Sequence, residues 1–172
     1  MTTFHTQSKK NAGFTTLFAA LVASLLLAVG LTIYDITSKQ LIFSAIVRDS
    51  NFAFYAADTG LECALLWDVK YTGPANFGSG SVFATSTDST SVPSLQVLCN
   101  GVDIATQPWS VAKVADAATT TFTVTFNQSP YCAKVWVEKW GYPSRTRVTS
   151  RGYNVCDTGA SNRIERALRA SY

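Results

Sequence analysis

The sequence predicts an α+β fold, one long N-terminal helix followed by a small antiparallel sheet. Three observations carry that expectation. An uncharged apolar run extends from Phe14 to Tyr34, a proline-free helical pattern continues from Asp35 to Val69, and segments alternating at period two follow after residue 94. The 172 residues thereby divide into a leader at 1–13, an apolar helix at 14–34, its continuation at 35–69 and a β-rich domain at 70–172. A domain of about 100 residues buries a modest core and benefits from covalent staples.

The run 14–34 contains no charged residue and no Asn, Gln, His or Pro. At about 1.5 Å per residue it would cover roughly 30 Å, the thickness of a bilayer's hydrocarbon core. Lys9 and Lys10 precede it with no acidic residue, which predicts a cytoplasmic N-terminus and an external location for everything after Tyr34. The expected address is the cytoplasmic membrane, with the C-terminal domain displayed outside. Three architectures fit this end of the chain: a secretory signal cut after Ala28-Val29-Gly30, an uncleaved anchor, or a leader removed at the Gly13–Phe14 junction. A secretory apolar region usually has about 7–15 residues, which weighs against the first.

From Asp35 to Val69 there is no proline, and Gly60 is the only glycine. Ile36, Phe43, Val47, Phe54, Ala57, Leu61 and Leu65 fall on one stripe, while Ala45, Phe52, Ala56, Cys63 and Trp67 make the opposite face apolar as well. A helix apolar on two sides needs two packing partners. One is its own domain; the other is lipid or neighbouring copies of similar helices, unless the helix packs wholly within one globular domain. Asp58 and Glu62 form a like-charge pair at i,i+4. They either dock a basic residue of another subunit, or stay solvated or paired with this chain's own arginines.

Thr72-Gly73-Pro74, Gly78-Ser79-Gly80 and the Ser/Thr-rich stretch from Thr85 to Ser94 predict a loop over 70–94. Short strands are expected at Leu95–Cys99 and Trp109–Val114. Thr121–Asn127 alternates Phe122, Val124 and Phe126 against threonines. Cys132–Lys139 sets Ala133, Val135 and Val137 against Lys134, Trp136 and Glu138. Trp140 to Ser144 reads as a turn and Arg145–Tyr153 as the returning strand. In the tail, Asn162–Ser171, the spacing of Ile164 and Leu168 suits a helix as well as a strand.

Cys63, Cys99, Cys132 and Cys156 are widely spaced, without a C-x-x-C pair. In an external compartment they imply two disulfides with three possible connectivities, buried free thiols being the alternative. A hairpin turning near Gly141–Tyr142 would set Cys132 close to Cys156, leaving Cys63 and Cys99 to tie the helix end to the first strand. Zinc is disfavoured, because its ligands come in close pairs and the only histidine is His5.

The net charge of +3 is partly leader, and the remainder is close to neutral, so bulk charge predicts no partner. Every arginine except Arg48 lies after Ser144, however. Arg145, Arg147 and Arg151 share one face of their strand. That face is either a site for an anionic ligand, DNA or a surface polymer, or an edge kept charged against pairing with other chains. No enzyme, cofactor or metal is expected. A single histidine in the leader excludes Ser-His-Asp and Cys-His catalysis, Gly78-Ser79-Gly80 lacks phosphate-loop spacing, and Glu62, Glu138 and Glu165 have no pairing interval.

Two stretches carry a more specific signal: the junction Lys9-Lys10-Asn11-Ala12-Gly13 before Phe14-Thr15-Thr16-Leu17, and the segment Ala53-Phe54-Tyr55-Ala56-Ala57-Asp58-Thr59-Gly60-Leu61-Glu62-Cys63-Ala64-Leu65. Together with the apolar run they resemble PilX-type minor pilins and the K-type tip pseudopilin of type II secretion. The resemblance implies prepilin-peptidase cleavage after Gly13 and N-methylation of Phe14. It also implies membership of a filament, with other pilins or pseudopilins and an inner-membrane assembly platform as partners. Phe18 stands where major pilins carry a Glu, which the resemblance reads as a minor, initiating or tip subunit. The same resemblance favours a closing strand for 162–171.

Overall fold

The computed structural model describes residues 12–70, 81–87, 93, 96–141 and 143–172. The leader up to Asn11, most of the expected 70–94 loop, Leu95 and Tyr142 lie outside the described residues. Helix α1, Ala12–Leu65, runs for 54 residues and continues into a π-helical turn, Leu66–Lys70. Strands β1 (Leu98–Cys99) and β2 (Val102–Asp103) form a small hairpin, and a 3-10 turn, Ile104–Thr106, follows. Then come β3 (Ser110–Val114), β4 (Ala117–Thr125), β5 (Cys132–Trp140), β6 (Arg145–Tyr153) and β7 (Glu165–Ser171). The expected α+β class is what the structure shows, and the tail is a strand.

The chain divides into two compact units, residues 1–45 and 46–172. In the first, the helix from Phe14 to Tyr34 is apolar around its whole circumference and exposed, with Phe14 at 75% and Leu26 at 66%. A surface of that kind is stable only against other apolar groups, and the segment is long and apolar enough to cross a membrane. Its hydroxyls do not spoil that surface. Ser24 donates to the Leu21 carbonyl at 2.8 Å and Thr32 to the Val29 carbonyl at 2.7 Å, so each is satisfied within the helix. Charge first returns at Asp35, paired with Lys39 at 2.8 Å one turn later.

In the second unit, among the described residues, β3 to β7 form a five-stranded antiparallel meander in chain order. Alternation sends Phe122, Val124, Ala133, Val135, Val137 and Val148 inward. The last turns of α1 cover them through its smallest residues, Ala53, Ala56, Ala57, Gly60 and Ala64, all buried. The approach is close enough to dictate glycine. A Cβ on Gly152 of β6 would overlap the Ala53 carbonyl oxygen and the Ala57 amide nitrogen. One on Gly60 would lie 2.6 Å from Ser150 Oγ and 2.9 Å from Val135 Cγ2. The expected helix stripe therefore needs correction: Phe54 faces solvent, whereas Ala56 and Cys63, assigned to the opposite face, are buried. Bulky side chains dominate a periodicity argument, but a sheet at this distance admits only small ones.

The expected loop over 70–94 is without helix or strand at its described centre, but it is not a surface loop. Val82, Phe83 and Ala84 are fully buried. Phe83 stacks on Trp109 and Phe122 with centroids 5.8 and 5.6 Å apart, and the Ala84 amide donates to the buried Thr120 hydroxyl. Strand β1 is shorter than expected, and its partner β2 was not foreseen. Asn100 and Gly101, both at positive φ, make the two-residue turn between them. Strand β4 starts at Ala117 rather than Thr121, because its first half pairs with β3 across the tight Ala115–Asp116 turn.

Two disulfides close the unit, Cys63–Cys99 and Cys132–Cys156. The first ties α1 to β1, assisted by the Trp67 indole donating to the Leu98 carbonyl at 3.1 Å. Asp68 provides a further lock. Its side chain is only 3% exposed and meets the buried Lys139 ammonium of β5 at 2.5 Å. The Ser81 hydroxyl and, at 2.5 Å, the Tyr172 phenol also donate to it. Burial alone would raise the Asp68 pKa, but these donors and the Lys139 charge hold it below the ordinary carboxylate value. Burial and the Asp68 carboxylate push the Tyr172 phenol well above its usual value.

Candidate functional site

Apart from the disulfide cysteines, the residues singled out in the sequence lie along helix α1 and on one face of the sheet. Gly13, Phe14 and Phe18 sit at the start of α1, with Phe14 and Phe18 exposed. Asp58 and Glu62 lie near its other end. Among the described residues neither forms an ion pair or a hydrogen bond, so they are not held by this chain's own arginines. Between these positions the helix exposes apolar side chains beyond its first charged residues: Leu41 at 69%, Phe43 at 68%, and Ile42, Ile46 and Val47 with them.

The second surface is the outer face of the sheet. Residues directly opposite in register share a face, which places Lys134, Trp136, Glu138 and Trp140 of β5 beside Arg145, Arg147, Thr149 and Arg151 of β6. Strand β7 adds Glu165, Arg169 and Ser171, and β4 contributes Thr119, Thr121, Thr123 and Thr125. The three expected arginines are thus neighbours on one face, but β6 is an inner strand of the sheet, with β7 outside it. That overturns the expectation of a charged edge strand for them; the edge is β7, where Arg166 donates to Ser50 of α1 at 2.9 Å.

The face is organised by ring stacking. The Arg147 guanidinium lies 5.0 Å from the Trp140 ring centroid, and that of Arg151 lies 5.3 Å from the Trp136 centroid. Arg147 faces Glu138 and Arg151 faces Glu165, each at 3.6 Å, too far for a hydrogen bond. The guanidinium N–H groups consequently keep donor capacity toward solvent. Arg145, Arg169 and Lys134 have no acidic partner among the described residues. Beside Arg151 and Arg169 lies an open hollow of about 420 Å³, lined also by Thr149, Glu165 and Ala167. The tryptophans were noted in the sequence, but the threonine column, Arg169 and the two glutamates gain their positions only through strand register.

No family model matches the chain, and no curated protein and no solved structure matches it either.

Proposed function

We propose that the chain is a minor pilin-like or pseudopilin-like subunit that primes or caps a type IV pilus-like filament. The observation that carries this reading is the excess of exposed apolar helix. A span of about 20 residues crosses a bilayer, whereas α1 has 54 and remains apolar and exposed at Leu41, Ile42 and Phe43, past Asp35 and Lys39. Lipid satisfies the first part; helices of neighbouring subunits satisfy the rest. Asp58 and Glu62, without an ion-pair partner among the described residues, are available to a basic residue on such a neighbour. Phe18 in place of a carboxylate suits a subunit with nothing stacked ahead of it.

In this reading a prepilin peptidase cuts between Gly13 and Phe14 and methylates Phe14. The N-terminus stays on the cytoplasmic side, and an inner-membrane assembly platform and other pilins receive the helix. The sheet domain is then displayed outside, at the cell surface or the filament tip, with an adhesive or ligand-binding role and no catalytic one. A second reading, a membrane-anchored surface binding protein outside any filament, is favoured by the arginine–tryptophan face. Mass spectrometry of the N-terminal peptide from a membrane or sheared-filament fraction separates the two. Methylated Phe14 is the expected result; retention of Met1, or a start at Leu31, overturns the filament reading.

A further inference from the structure

The outer sheet face has a composition that neither display nor filament assembly requires. One row crosses all five strands in direct register: Arg169 on β7, Thr149 on β6, Trp136 on β5, Thr121 on β4 and Ser110 on β3. With strands about 4.8 Å apart, the row spans roughly 19 Å. It offers a cation at one end, then hydroxyls on either side of an aromatic ring. The hollow of about 420 Å³ lies at the cationic end, between Arg151 and Arg169, and falls in the size range of small-ligand sites.

We propose that this face binds an acidic glycan, with a sugar carboxylate seated between Arg151 and Arg169 and the hydroxyls of neutral sugar rings meeting Thr149, Thr121 and Ser110 along the row. Three observations select this ligand over a nucleic acid. First, the positive charge is sparse: Lys134, Arg145, Arg147, Arg151 and Arg169 share the face with Glu138 and Glu165. A nucleic-acid strand carries a phosphate about every 3.4 Å, and both carboxylates would lie within a Debye length of roughly 8 Å of such a row. Second, Arg147 and Arg151 already stack on the two tryptophans, which removes the open ring faces on which bases would stack. Third, hydroxyls dominate the row away from Arg169, and hydroxyls donate to and accept from sugar hydroxyls. Glu165, inside the hollow, accepts from a sugar hydroxyl while repelling a second anionic group. A sugar acid at the end of a neutral chain brings one charge with neutral donors beyond it, and that is the pattern of the row.

Binding in this way needs only that the sheet face remain uncovered, so it stands or falls independently of leader processing. The test uses the full-length protein in detergent micelles, titrated with a tetrasaccharide of one terminal glucuronic acid on three neutral xylose rings and followed by tryptophan fluorescence and calorimetry. Saturable binding is expected. Arg169→Ala, which removes an exposed side chain with no ion-pair partner among the described residues, weakens it roughly ten-fold or more, as expected for a lost charge-assisted hydrogen bond. Lys113→Ala, on an exposed side chain paired in register with the buried Ala118 of the inner face, leaves it unchanged, and a thermal melt confirms that both variants fold. Equal affinity for the carboxyl-reduced neutral oligosaccharide, tighter binding of oligothymidylate, an Arg169→Ala variant indistinguishable from the parent, or no binding at all would each overturn the proposal.

Discussion

Replacing Gly152 with alanine tests the closest packing in the protein. The added methyl would overlap the Ala53 carbonyl oxygen and the Ala57 amide nitrogen, and would lie 3.0 Å from the Ala56 carbonyl carbon. That third contact, the mildest, already falls about 0.5 Å short of the roughly 3.5 Å at which carbons rest. Backbone atoms inside a helix cannot rotate away as a side chain can, so α1 must lift by about 1 Å. A gap of 0.5–1 Å forfeits about a quarter to a half of each van der Waals well, and the loss falls on Ala53, Ala56, Ala57 and Gly60 together. Overpacking of this kind costs about 1–3 kcal/mol, and an unyielding neighbour puts Gly152→Ala at the upper end. The reduced entropy of the unfolded alanine chain returns about 0.4–1 kcal/mol. The expected net loss is about 2 kcal/mol, or roughly 5–10 °C in Tm for a unit of this size. Urea denaturation of the detergent-solubilised protein, read by tryptophan fluorescence, measures it. Gly30→Ala serves as control, since nothing lies within 4 Å of the site. A Gly152→Ala variant as stable as the control would refute the close helix–sheet approach.

Three further outcomes follow from the second unit. Asp68 is held below its ordinary pKa, so it contributes stability that is present above about pH 4 and lost as pH falls through the folded value. Asp68→Ala leaves the Lys139 ammonium buried and alone, at an expected cost of about 3–5 kcal/mol at pH 7; urea midpoints across pH 2–7 measure both effects. Tyr172 is shifted the other way, so its contribution is intact below about pH 10 and is lost as pH rises from there through the folded value; urea midpoints extended from neutral into the alkaline range show that loss, and in Tyr172→Phe it disappears. Opening either disulfide releases a sequence separation of 36 or 24 residues and is expected to cost about 3 kcal/mol each. Paired Cys→Ser variants, Cys63 with Cys99 and Cys132 with Cys156, measure the two separately by urea denaturation.

Local signals reached some parts of this fold and missed others for identifiable reasons. The helix was legible to Val69 because nothing between Asp35 and that point interrupts it, and β5 was legible because Ala133, Val135 and Val137 alternate with polar or amphipathic neighbours. The same alternation puts Lys139 on the inner face, and a lysine there demands a carboxylate; that signal pointed to a lock such as Asp68 but was not read. Asn100-Gly101 likewise announces a hairpin. The burial of Val82 and Phe83 had no such local trace, since it depends on Trp109 and Phe122 arriving from distant strands. The arginine face was only half legible. Which carboxylate each guanidinium meets, and which ring it covers, is decided by the register of β5, β6 and β7.

The meander also sets an order of events. Each strand from β4 to β7 pairs with its predecessor, so the sheet grows through short-range closures that are entropically cheap and fast. The lock on α1 is different, because Tyr172 reaches Asp68 across 104 residues of sequence. During synthesis the sheet therefore zips up hairpin by hairpin while the end of α1 waits for its last partner. The element that leaves the ribosome first is thus the one completed by a residue, Tyr172, that follows the sheet's final strand.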